Sequence, residues 1–114
     1  MSSEKLPSEK SDLLQGTLDL LLLKTLAPCA LHGYAIAQRI LVTSQEVLQV
    51  QQGSLYPALH RLERKKLIQS EWKESDSGRM AKYYSLTASG RKQLNAELAQ
   101  WKRYTIAISL VLES

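Results

Sequence analysis

The segment LIQSEWKESDSGRMAKYYSLT, from Leu67 to Thr87, constrains the fold more than any other. Its outer runs hold Ile68, Trp72, Tyr83, Tyr84 and Leu86 in partial alternation, and its middle holds Asp76, Ser77 and Gly78. Short alternating runs joined by an Asp/Ser/Gly turn predict a β-hairpin. Arg79 and Lys82 fall at or beside its tip. The chain before the hairpin reads as helix, and so does the chain after it.

A first helix is predicted from Asp12 to about Leu26, with Ser11 or Asp12 as its N-cap. Leu14, Leu18, Leu21 and Thr25 share one face, while Leu13, Leu20 and Leu23 lie off it. Such an all-round apolar helix needs cover on more than one side, from its own domain and from a second subunit. Residues 1–10 are polar and read as a flexible arm without a signal peptide. Pro28 ends the helix, His32 and Gly33 read as a turn, and a second helix follows from Tyr34 to about Val42 with Ile36 and Ile40 inward.

The third helix carries a proline. In GSLYPALHRLERKKL, from Gly53 to Leu67, Leu55, Leu59 and Leu62 form an inner face, and Arg61, Arg64 and Lys65 leave the outer face cationic. A proline inside a helix costs roughly 3 kcal/mol. With Ser54 as N-cap, Pro57 falls in the first turn, where backbone N–H groups have no helical partner. Three helices followed by a basic hairpin is the order of a winged helix-turn-helix domain, here residues 11–86. The expected fold is mainly α with one small hairpin.

Thr87 caps a last helix, residues 87–114, that runs to about Leu112 with Gly90 in its first turn. Leu94, Leu98, Trp101, Thr105, Ile108 and Leu112 alternate steps of four and three, a heptad-like seam. Little chain remains to cover it, so a dimer interface is expected; the alternative is a helix folded back on its own domain. At 114 residues the chain is one small domain with a thin core, which a partner subunit would help. The net charge of +4 and pI near 9.3 bias it mildly toward polyanions. A single cysteine, Cys29, excludes an intrachain disulfide framework. The apolar stretch LLQGTLDLLLLKTLA is broken by Gln15, Asp19 and Lys24 and is too short to cross a bilayer, so a cytoplasmic protein is expected.

HGYAIAQRI, GSLYPALHRLERKKLI and GRMAKYYSLTASG together resemble the signature segments of the PadR family of bacterial transcription regulators, across Leu13 to Leu112. The single short C-terminal helix is similar to the compact branch of that family. The resemblance implies a homodimer that binds double-stranded operator DNA, usually as a repressor, and often releases it on binding a small molecule. It makes Ser54 to Lys66 the recognition helix, with Tyr56, His60, Arg61 and Arg64 facing DNA, Tyr34 on the backbone, and Arg79 and Lys82 in the flanking groove. Arg61 and Arg64 lead as base readers, since bidentate Arg to guanine is the commonest specific contact. Trp101 matches a tryptophan that in compact members stacks on flat aromatic ligands; packing the dimer core is its other reading.

Two departures from the family pattern stand out. Met80 replaces the second of two adjacent wing cations, and Lys66 stands where a glycine is common, which implies strain of order 1 kcal/mol if that residue is left-handed. Cys29 and His32 are spaced to chelate a metal, but a structural zinc takes four ligands and His60 is the only other histidine, so no metal or cofactor is expected. No nucleophile–base, paired-carboxylate or phosphate-loop arrangement points to an enzyme. The alternative function is a winged-helix protein-interaction module.

Overall fold

The computed structural model describes residues 7–114, with side chains from Gly16 onward. Helix α1 spans Pro7–Leu26, strand β1 Leu31–His32, α2 Gly33–Thr43, α3 Gln52–Arg64, β2 Ile68–Glu74, β3 Met80–Leu86 and α4 Ala88–Leu112. This is the expected winged helix-turn-helix order with a long terminal helix. No helix among the described residues is long and apolar enough to cross a membrane.

The hairpin forms in the expected segment, with β2 and β3 antiparallel in register from Ile68 opposite Leu86 to Glu74 opposite Met80. Gly78 takes φ +88° at the turn, a conformation suited to glycine. His32 departs from the expected turn. Leu31 and His32 pair with Tyr84 and Tyr83, so β1 adds a third strand in the order β1-β3-β2. His32 also caps α2, its Nδ1 accepting from the Ala35 N–H at 3.2 Å, and its ring stands edge-on to Tyr83 at 5.2 Å. Both roles occupy it structurally, and Cys29 is exposed. No cluster of three metal-ligating side chains forms among the described residues.

Helix α1 begins at Pro7, not Asp12, so Ser11 and Asp12 lie inside it and the expected arm is shorter by its last residues. A proline suits a first helical position because its missing N–H has no partner to lose there. Residues 1–6 of the arm, and the side chains of Leu13 and Leu14, lie outside what is described. Further along α1, Leu20, Leu22, Leu23 and Leu26 are buried against Ile36, Ile40, Leu55, Leu59, Leu62 and Leu94. No polar side chain is buried among the described residues.

The proline of α3 sits deeper than expected. The helix starts at Gln52 with Gln51 as N-cap, and that cap makes no side-chain hydrogen bond; Ser54 is inside the first turn and donates its N–H to the Gln51 carbonyl at 3.0 Å. Pro57 therefore falls in the second turn and denies the Gly53 carbonyl its usual i+4 donor. Gly53 is exposed, with nothing within 4 Å of where a Cβ would stand, so water reaches that end of the helix.

Helix α3 ends at Arg64, before the expected Lys66. Lys66 takes φ +64°, the Lys66 N–H donates to the Glu63 carbonyl at 2.9 Å, and the Leu67 N–H donates to the Leu62 carbonyl at 3.0 Å. This crossed pair is a Schellman closure with lysine where glycine is favoured. Lys66→Gly is expected to raise the unfolding free energy by about 1 kcal/mol, read from the urea midpoint. An unchanged or lowered midpoint would mean that the turn is not strained.

Thr87 locks this turn to α4. Its hydroxyl donates to the Lys66 and Leu67 carbonyls, at 2.8 and 3.0 Å, and accepts from the Gly90 N–H at 3.0 Å as the N-cap.

Candidate nucleic-acid interface

The outward ridge of α3 is built by its buried side. Leu55, Ala58, Leu59 and Leu62 point into the core. That leaves Gly53, Pro57, His60 and Arg64, spaced four, three and four residues apart, exposed along the opposite face. Ser54 is exposed beside this ridge, and so is Tyr56. The Tyr56 ring lies over Gly33 at the start of α2: a Cβ at Gly33 would stand 2.5 Å from the tyrosine hydroxyl. Tyr34 is 66% exposed on the same side, and its hydroxyl accepts from Gln38 Nε2 at 3.1 Å. Tyr34, Tyr56 and the α3 ridge thus form one continuous surface, edged by the wing.

Arg61 stands apart from this surface. Its Nη2 donates to Asp19 Oδ1 of α1 at 2.7 Å, and both side chains are largely covered. The guanidinium faces α1 and ties α3 to it. Arg64 is exposed and has no ion-pair partner among the described residues.

Glu63 does the corresponding work toward the wing. Its Oε2 accepts from the Ser70 hydroxyl at 2.6 Å, and its Oε1 lies 3.8 Å from Lys82 Nζ. Lys82 Nζ also lies 5.8 Å from the Tyr84 ring centroid. Burial first, then the nearby Glu63 and Tyr56, holds the Tyr84 phenol above its ordinary pKa. Lys82 is therefore partly neutralised within the fold, whereas Arg79 is exposed at the hairpin tip. Neither Asp19 nor Glu63 was identifiable as a brace from sequence. The Asp19–Arg61 partners stand 42 residues apart, and no local spacing reports such a pair.

The seam on α4 divides in two. Leu94 is buried and Leu98 packs against the core, but Trp101, Ile108 and Leu112 are 45%, 55% and 78% exposed. Thr105 is half-buried, its hydroxyl donating to the Lys102 carbonyl at 3.1 Å. Tyr104, Ile106, Leu110 and Val111 add exposed apolar surface that the seam did not include.

Residues 22–96 match the transcriptional regulator PadR-like family. An uncharacterized protein of Lysinibacillus sphaericus is 29% identical over 104 residues, 91% of this chain and 95% of that protein. Among solved structures, a PadR family transcriptional regulator from Eggerthella lenta is 31% identical, covering 94% of this chain and 91% of its own, with a TM-score of 0.76. A PadR family transcription regulator from Clostridium difficile is 30% identical, covering 85% and 99%, with a TM-score of 0.74.

Proposed function

Since this chain belongs to the PadR-like family of transcriptional regulators, a family of DNA-binding regulators, we propose that it acts as a homodimeric repressor reading a pseudo-palindromic operator through the exposed ridge of α3. The observation that carries the reading is that ridge, an uncovered face of Pro57, His60 and Arg64 flanked by Tyr34, Tyr56 and Arg79. Arg64 is its base reader. Ser54, Tyr56 and His60 contact DNA beside it, Tyr34 holds the backbone, and the wing lies in the flanking groove. Arg61 positions α3 through Asp19. Lys82 adds a weaker, partly neutralised charge.

The bare apolar end of α4 supports dimerisation, because a second copy would cover the surface from Trp101 to Leu112. Half-sites would then lie ~10 bp, one helical turn, or a multiple apart. Trp101 stands within that surface, where a flat aromatic effector could stack between subunits.

Selection of bound fragments from genomic DNA gives the operator, and a salt titration then separates this reading from an interaction module. Each phosphate contact contributes about −0.9 to the slope of log K against log salt, whereas a module without DNA binding gives no response. Arg64→Ala should cost ~1–3 kcal/mol on the operator and relax specificity at one position per half-site. Arg61→Ala should leave the ratio of operator to random-DNA affinity unchanged. The reverse outcome would return base reading to Arg61.

A further inference from the structure

We propose that the wing of this chain engages DNA through an apolar wedge, Trp72 and Met80, seated in the minor groove flanking the α3 site. The proposal rests on the DNA-binding reading above and deepens it.

The hairpin is poorly equipped as a cationic clamp. Along its strands and turn, Glu71, Glu74 and Asp76 offset Lys73, Arg79 and Lys82. Lys73 Nζ lies 4.8 Å from the Tyr83 ring centroid, and Lys82 is shared between Glu63 and Tyr84. At the wing's tip Arg79 stands exposed beside an equally exposed Asp76.

On the face that also carries Lys82 and Glu74, the wing presents two exposed apolar side chains. The register sets Trp72 opposite Lys82 and Glu74 opposite Met80, so Trp72 and Met80 are diagonal neighbours on one face of the hairpin. They are 63% and 61% exposed. That face walls a groove of about 530 Å3 whose other side is Tyr34 and Tyr56, at the starts of α2 and α3, with Arg79 also in the lining. No carboxylate lines it among the described residues.

DNA is the occupant these features favour. The groove is continuous with the exposed α3 ridge through Tyr56, so a duplex lying on that ridge passes the wing. A polyanion is compatible with a lining that holds cations and no carboxylate. An unbranched methionine beside an indole is the kind of apolar insert that minor-groove proteins push between base steps, and arginine follows the groove beside it. Such an insert acts most readily at pyrimidine–purine steps, which unstack easily. The wing's contribution then depends on the flexibility of the flanking step and hardly on salt.

The test compares wild type, a Trp72→Ser/Met80→Ser double variant, Met80→Arg and Arg64→Ala on the selected operator at several salt concentrations. Trp72 and Met80 are largely exposed, so the double variant should keep its thermal midpoint. It should bind the operator roughly tenfold more weakly at every salt concentration, with an unchanged slope. It should also lose any preference for a flanking TA or CA step. Met80→Arg should steepen the slope by about 0.9 per subunit, turning an apolar contact into an ionic one. A double variant that matches wild type in affinity and flank preference overturns the wedge, and the Trp72–Met80 face then belongs to a protein or small-molecule partner. Failure of the DNA reading itself is separate: wild type then selects no fragment, and Arg64→Ala changes nothing.

Discussion

Gly90→Ala is expected to destabilise the fold by about 3 kcal/mol, although alanine is intrinsically the better helix residue by about 1 kcal/mol. A Cβ at Gly90 would stand 1.9 Å from the Leu67 carbonyl oxygen and 2.8 Å from a Leu86 methyl. The carbonyl is backbone and cannot swing away, because it accepts from both the N–H and the hydroxyl of Thr87. Relief requires α4 to move off the turn at Lys66, breaking the Thr87 clamp. Urea unfolding of Gly90→Ala beside Ser89→Ala, an exposed control expected within about 0.5 kcal/mol of wild type, checks this. The sign is diagnostic: stabilisation by alanine would show that α4 does not approach Leu67 so closely.

Ile108→Glu is expected to prevent the proposed dimerisation and to weaken operator binding by about two orders of magnitude, the gain that linking two modest half-site contacts gives. In the single chain Ile108 is 55% exposed, so the substitution costs the isolated subunit little. Within a subunit interface it would bury an unpaired carboxylate, which is strongly unfavourable. Light scattering should show a folded monomer at micromolar concentration, with helical content kept by circular dichroism. A variant that stays dimeric with wild-type operator affinity would mean that subunits do not meet along this part of α4. Trp101→Ala sharpens the picture: a tryptophan packed as dimer core costs ~3–5 kcal/mol on truncation, whereas one lining an open ligand site costs far less.

The hairpin, the buried faces of α2 and α3 and the Thr87 cap were all legible in the sequence, because each rests on interactions within a few residues. Alternation and an Asp-Ser-Gly turn specify a hairpin without reference to the rest of the chain. A hydroxyl just before a helical run marks a candidate cap, and Thr87 fills that role whereas Ser54 falls inside α3. By the same logic Ile36, Ile40, Leu55, Leu59 and Leu62 were identifiable as core, and they are buried. The candidate surface was legible only in part. His60 and Arg64 follow from the helical period, and both are exposed. Arg61 follows from the same period as part of a cationic outer face, yet it turns toward Asp19 on α1.

By itself, the sequence determined the main helical and hairpin segments, the family the chain belongs to, and which sides of α2 and α3 turn inward. Tertiary structure decided where those segments touch. It gave Leu31 and His32 a place in the sheet, since a two-residue strand carries no periodicity and exists only because β3 offers an open edge. It made Gly90 a requirement of close approach, because the obstructing atom belongs to Leu67, distant in the chain and near only after folding. It also assigned the charges: Arg61 to Asp19, Lys82 to Glu63, and Arg64 to solvent. Local propensity arises from neighbours along the backbone, so a sequence states it directly. A charge's partner is fixed by the packing of separate elements, and that packing pairs Arg61 and Lys82 while leaving Arg64 exposed.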